Sequence, residues 1–554
     1  MNNNIIKKLD SVYVFHMIGI IVAFLIMLNL INYKENHEIK YSIDTAEKYY
    51  YSGQFELTLD EYKNLYLKDK LNPLWDIKIA EVYSFMGDIE QADEYLDKAK
   101  SSNFITGDDV SYVIFTEFSN KEYEQALKDG EQALKDYPDN IKIYKTMFAV
   151  YMVNEDIDNA TNILKKYPID RTSAYDIAEY AQMLIISGDW DQGLNELLNA
   201  WNIDKDEYKI YDVLSQISLF NMDELLQKIS ALQQEDEENL AYKMWLAKVY
   251  STNVDTSAQA QSLIEELSTA DVGDLEIKII NSTVLSNLDE DEEANKILNE
   301  IINNNGDYRV YHTAAWYYYN KGEYDKALEY CKKSIEENED YPDNYGFLMP
   351  AILKASEDTS NIEAYFMQAL RLEPYNYNMM LNTANYYYEK NNISKTLEYY
   401  GLAELIKPDD ASIKYDLAII YLNNGDTDKT IEKLNDCIKI AEDVSKYHRT
   451  LGTLLMTLGK TKEGMDEIRI AFNADQSDIL NLNNAGVYYI SVEKNIERGL
   501  YNIEEAYNNL NDSYPEYIKT GIAENYKKAK KLVVDFVNSE GDEKLEIPDF
   551  TLFY

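Results

Sequence analysis

The sequence predicts an all-α protein, an α-α superhelix of helical hairpins with one apolar span ahead of it. Three observations carry this. Glycines in the recurring context small-x-x-aromatic-x-x-x-Gly stand at Gly53, Gly87, Gly188, Gly322, Gly425 and Gly459, spaced 34, 101, 134, 103 and 34 apart. These are close to whole multiples of 34, and that period marks a helix-turn-helix solenoid. Only nine prolines and twenty glycines interrupt 554 residues, which favours helix over a loop-rich β fold. Finally, Val12 to Ile31 contains no acid, Lys or Arg.

That apolar stretch comes first. Twenty helical residues reach about 30 Å, enough to cross a bilayer core, so residues 12–33 are expected to form a transmembrane anchor. A cleaved signal peptide would have a shorter apolar region ending in a small-x-small site, and the exit Asn29-Leu30-Ile31-Asn32-Tyr33-Lys34 offers none. Lys7 and Lys8 precede the span against Asp10 alone, while Lys34 and Lys40 after it are diluted by Glu35 and Glu38. The positive-inside tendency then makes residues 1–11 a short cytoplasmic segment and places the large domain, after a linker at 34–42, outside the cytoplasm.

Each glycine sits in a consistent setting. Around Gly322, Ala315 and Tyr318 share one helical face, and Ala327, Cys331 and Ser334 share a face of a second helix. Small residues let the two helices approach, large ones fill the gap, and the glycine supplies a left-handed turn. The register recurs as Ala80, Tyr83, Ala92, Leu96 and Ala99 around Gly87, and as Gly452, Leu455, Gly464, Ile468 and Ala471 around Gly459. This pattern resembles the tetratricopeptide repeat (TPR) family, most strongly in YHTAAWYYYNKGEYDKALEYCKKSIEENED, Tyr311 to Asp340. The family's closing proline stands in register at Pro138, Pro374 and Pro408, in units whose turn glycine is replaced by Lys121, Glu357 and Asn391.

The resemblance implies a TPR solenoid of about fourteen hairpins over residues 43–515, with turn slots near 53, 87, 121, 155, 188, 222, 254, 289, 322, 357, 391, 425, 459 and 492. Units over 204–305 are degenerate, LQQEDEENL reads as a longer loop or a break, and two extra residues enter the last unit near Glu497. A capping helix is expected at 516–538, because solenoids need their end faces covered. Residues 539–554 are expected to be a flexible tail, loose or folded back onto the cap.

Composition narrows the function. The net charge of −46 repels nucleic acid, whose phosphates need clustered Lys and Arg, so no nucleic-acid partner is expected. Cys331 and Cys437 fall on apolar positions of the repeat and read as buried small hydrophobes. The four histidines have no metal-ligand spacing. The acid run Asp289 to Glu293 lacks the pattern of a calcium loop and suits a helix start. There is no phosphate loop, HExxH, CxxC or Gly-x-Ser-x-Gly, so no enzyme, no cofactor and no small-molecule substrate are expected.

What remains is binding. In TPR proteins the first helix of each unit lines a concave face that holds a peptide or partner helix. The corresponding slots lie 13, 10, 6 and 3 residues before the turn, and in the C-terminal half they give Arg309, His312, Trp316, Tyr319, Phe347, Lys354, Asn385, Tyr388, Tyr415 and Arg449. Aromatic rings and Arg are the residue types that anchor interfaces. The triple tyrosines at Tyr49–Tyr51, Tyr317–Tyr319 and Tyr386–Tyr388 share one slot, with the middle ring packing inward. The family's chaperone-tail receptors need a Lys and Asn pair, but Lys145 is followed by Ala149 where Asn belongs. The expected function is therefore a membrane-anchored scaffold binding a protein or peptide partner. The alternative is a structural or assembly subunit of an envelope secretion or polysaccharide-export machine, which would bring down a stoichiometric membrane partner.

Overall fold

Turn chemistry builds this fold. In the computed structural model, which describes residues 41–358, 361–538 and 546–554, positive φ values between 57° and 92° occur at Gly53, Gly87, Gly188, Gly322, Gly425 and Gly459, and at Lys121, Glu155, Asp289, Glu357, Asn391 and Lys494. All but the last fall on the slots spaced by the repeat. At six of these turns the next residue is an Asp or Asn whose side chain caps the second helix: Asp88, Asp156, Asp189, Asn392, Asp426 and Asn495. A left-handed residue ends one helix and an Asx cap starts the next, so the chain reverses within three residues.

The result, among the described residues, is α-helix with short 3₁₀ and π turns and no strand. Residues up to Asn120 form one compact unit and those from Lys121 a second. The first holds the hairpins Ile43–Tyr51 with Phe55–Lys68 and Leu74–Met86 with Ile89–Lys100, then helix Gly107–Ser119. The second opens on Tyr123–Asp136. Its hairpins pair Ile141–Val153 with Ile157–Lys165, Ala174–Ile186 with Trp190–Ile203, Leu240–Ser251 with Ser257–Leu267, Asp274–Asn287 with Asp291–Asn305, and Tyr308–Asn320 with Tyr324–Glu337. Met349–Ala355, with a π turn before it, pairs with Ile362–Leu372. Tyr377–Glu389 with Ile393–Ile406, Ala411–Asn423 with Thr427–Ile440, Ser445–Thr457 with Thr461–Ala474, and Ile479–Ser491 with Ile496–Asn508 complete the series.

Side chains repeat as well as turns. Tyr83 stacks on Tyr95, Tyr318 on Tyr330 and Tyr387 on Tyr399 at 5.5–5.7 Å, each joining the two helices of one hairpin. Lys326 and Lys395 lie over the Tyr318 and Tyr387 rings. Backbones meet closely at Gly452 and Gly464, where a Cβ on either would sit 2.8 Å from the other's carbonyl oxygen, and more closely still at Gly486 and Gly499, where the distances would be 2.7 and 2.6 Å. Both cysteines are buried, and burial pushes each thiol up to about 12, which disfavours the thiolate.

Three expectations change. Helix Tyr208–Glu235 has no turn at slot 222; two helices run together there across a kink at Asn221, whose φ is −142°. LQQEDEENL is not a long loop, since that helix runs to Glu235 and the next begins at Leu240. The extra residues enter the last unit at its turn, so the left-handed position moves from 492 to Lys494. Glu516–Asn538 stands as a single helix after the last pair, so the helix count exceeds what fourteen hairpins alone supply. No helix among the described residues is long and apolar enough to cross a membrane; the span expected at 12–33 lies outside them.

Candidate partner-docking surface

The groove slots can be followed along the second unit. In the first arm of Tyr208–Glu235 they hold Lys209, Asp212 and Gln216, which are all buried. The Lys209 ammonium donates to Glu373 and, at 3.3 Å, to Asp212. Gln216 donates to Asp343 at 3.0 Å and accepts from Gln182 at 2.7 Å and Asn376 at 2.9 Å. Asn378 reaches the Gln216 carbonyl at 2.7 Å. Partners more than 120 residues downstream thus fill the inner face of this helix. Burial alone would strip the proton from Lys209, but the carboxylates of Glu373 and Asp212 reverse this and hold the ammonium well above its usual range. Burial, reinforced by Asp212, pushes the Asp343 carboxyl well above the usual carboxylate range.

Beside this closed region lies a polar cavity of about 430 Å³ whose walls include Asp212, Lys248, Ser282, Thr283, Asn287, His312 and Trp316. His312 is buried, with Nδ1 2.8 Å from the Asn344 side chain and Nε2 accepting from Trp316 Nε1 at 3.0 Å. Burial lowers its pKa to about 4, so the ring is neutral and its acceptor nitrogen faces Trp316. Glu276 is wholly buried 3.7 Å from the Lys248 ammonium, beyond hydrogen-bond reach. Burial outweighs that neighbour and lifts the Glu276 carboxyl to about 7.

On the other side of Trp316 is a second cavity, of about 420 Å³, lined by Trp316, Tyr319, Phe347, Lys354, Asn385 and Glu389 among others. Trp316 and Tyr319 meet edge to face at 5.4 Å. Lys354 and Glu389 form an exposed ion pair of 2.5 Å at its edge. A proline shapes one wall. Pro350 has no N–H for the Gly346 carbonyl one turn earlier, the helix opens into a π turn over Asn344–Leu348, and Asn382 of the following unit donates to that carbonyl at 2.7 Å.

Five sequence candidates therefore share one cavity, and His312 lines its neighbour. The other four stand apart. Arg309 is tied to Asp307 and, at 2.8 Å, to the Asp206 carbonyl. Arg449 is buried and donates to Asp478 and Asn481 at 2.6 and 3.0 Å. Tyr415 bonds Thr450 at 3.1 Å beneath Lys446. Tyr388 is exposed and accepts from Asn423 at 3.4 Å. Lys145, weighed for carboxylate capture, is committed to buried Glu179 at 2.8 Å. No cluster of three metal-ligating side chains occurs among the described residues.

Residues 308–341 and 77–104 each match the tetratricopeptide repeat family, and both stretches coincide with hairpins described above. The chain contains tetratricopeptide repeats. No curated protein matches it. Solved structures similar to this TPR chain include yeast Tom70 (15% identity, 79% of this chain and 98% of that one, TM-score 0.41). Others are Naa15/Naa10 bound to HypK (14%, 88% and 90%, TM-score 0.38) and the Cut9–Hcn1 hetero-tetramer of the APC/C (13%, 87% and 95%, TM-score 0.33).

A further piece of the TPR surface escaped the register. Residues 546–554 lie across helices Ser445–Thr457, Ile479–Ser491 and Glu516–Asn538. Asn525 bonds both main-chain groups of Thr551, at 2.9 and 2.7 Å, and Asn484 bonds both of Phe553, at 3.0 and 2.6 Å. Asn483 and Thr453 add 3.0 and 2.9 Å bonds to the same two carbonyls. Thr453 and Asn484 stand 6 and 10 residues before the left-handed turns at Gly459 and Lys494, which are groove slots.

Proposed function

We propose that this protein is a TPR scaffold that docks a segment of a partner protein on the aromatic cavity formed by helices Tyr308–Asn320, Met349–Ala355 and Tyr377–Glu389. One observation carries the reading. Trp316, Tyr319, Phe347, Lys354 and Asn385 come from three successive first helices, were selected by register alone, and line a single cavity of about 420 Å³. Large rings in a concave, partly desolvated site are where interface energy concentrates. The exposed Lys354–Glu389 pair presents both charges at the edge, which orients a partner more than it holds one.

The apolar stretch at 12–33 suggests that the scaffold is tethered to a membrane, with the repeats on the extracytoplasmic side. Protease accessibility on intact cells reads that sidedness.

The docking test uses the full-length protein. A photo-crosslinking residue replacing Phe347 or Tyr319, followed by mass spectrometry, is expected to trap a partner. Phe347→Ala with Tyr319→Ala is expected to lower capture of that partner at least tenfold. Unchanged capture by a variant that keeps its helical circular dichroism sinks the reading.

A further inference from the structure

The grip on residues 546–554 is a peptide-recognition geometry. In an extended chain, residues two apart turn their N–H and C=O groups to the same edge. Asn525 and Asn484 meet Thr551 and Phe553 along one such edge, each amide accepting from the N–H and donating to the C=O of one residue. Side-chain amides thereby take the place of a pairing strand. Asn483, Asn484 and Asn525 are each 0 % exposed, and buried amides left unmatched are costly, so this groove calls for a polypeptide backbone. Selectivity lies in two apolar sockets three residues apart. Phe550 sits against Val487, Ile490, Ala529 and Leu532. Phe553 sits against Ile479, Leu482 and Ile522, with Gly521 leaving room for its ring. Glu546, Asp549, Thr551 and Tyr554 are exposed and add little to the hold.

We propose that this groove is a second docking site, distinct from the Phe347 cavity, which residues 546–554 occupy in cis. Its exchange partner is an extended segment of another protein carrying two aromatic residues three apart. The resident segment is a stand-in ligand: it satisfies the buried amides until a matching segment displaces it.

The test uses a fluorescent nonapeptide with the sequence Glu546–Tyr554, the full chain, and a chain ending at Glu540. The shortened chain is expected to bind the peptide at least tenfold more tightly than the full chain does. Asn484→Ala with Asn525→Ala in the shortened chain is expected to remove at least tenfold of that affinity. Should the shortened chain lose its helical circular dichroism, Phe550→Ala with Phe553→Ala in the full chain frees the groove instead, with the same gain expected. Equal binding to occupied and freed chains, or none to a folded freed chain, overturns the proposal. So does hydrogen exchange in which the Thr551 and Phe553 amides open only with global unfolding, since the segment is then a permanent cap. A dimer that disappears on shortening assigns the groove to a second copy and overturns the foreign partner. None of these outcomes bears on the Phe347 cavity, whose variants are read separately.

Discussion

The first arm of helix Tyr208–Glu235 and helix Tyr308–Asn320 occupy equivalent places in their units, yet their groove slots meet opposite fates. The former holds Lys209, Asp212 and Gln216, buried against chain from Asp343 to Asn378. The latter holds His312, Trp316 and Tyr319, which line cavities. Register therefore tells which face of a repeat helix turns inward, but not whether that face is open. Lys209 and Gln216 are closed off by the protein itself, whereas Trp316 and Tyr319 line an open cavity.

The largest effect that tests this contrast comes from the closed side. Lys209→Ala leaves Glu373 and Asp212 buried without their cation and is expected to destabilise the protein by about 3–5 kcal/mol, read as a lowered thermal midpoint. Adding Glu373→Leu and Asp212→Asn is expected to recover much of that loss. A loss within about 1 kcal/mol for Lys209→Ala would mean that the clasp does not hold the region shut.

Next come three buried titrating groups. The folded-state pKa of His312 is lowered to about 4 from 6.5, so only the unfolded chain takes up the proton as pH falls through that window. Stability is expected to drop between pH 6.5 and 4 by about 2–3 kcal/mol, and His312→Gln to flatten that slope. His448 has the opposite sign. Its hydrogen bond to Glu467 outweighs burial and raises its pKa, so its contribution is present below pH 6.5 and fades as pH rises past its folded value. Glu276, lifted to about 7 by burial, weakens the fold progressively as pH rises from its unfolded value of 4.5 towards 7. Glu276→Gln is expected to stabilise by about 1–3 kcal/mol at pH 8 and hardly at all at pH 5. Thermal melts across pH measure all three.

The smallest effects concern the turns. Gly425→Ala, at φ 78°, is expected to destabilise by about 1 kcal/mol. Glu357→Gly, at φ 59°, is expected to stabilise by a similar or smaller amount. Urea melts read both, and signs reversed from these would show that the turn residue has another role.

Much of this was legible. The glycine spacing located the turns, and the closing prolines revealed units whose turn residue is Lys121, Glu357 or Asn391, because a 34-residue period overdetermines its own phase. Offsets from those turns then selected the five residues that share the Phe347 cavity. The rest depends on contacts far apart in sequence, which a nearest-neighbour period does not encode. Nothing local to Lys209 says that Glu373 will meet it, and Arg309 and Arg449 looked like anchors until their carboxylate partners were visible. A slot filled by Lys, Asp or Gln in a degenerate stretch was the available signal of closure. Asn484, at a groove slot once the turn shifts to Lys494, and the Phe550 and Phe553 pair were the signals for the second groove.

The clasp between Lys209 and Glu373 has a mechanical consequence. A ladder joined only rung to rung lengthens gradually under tension. Here the 163 residues between the two clasp positions are shielded until that tie snaps, and then yield together. A force–extension trace should show one high early rip worth about 500 Å of released contour, rather than a train of short steps.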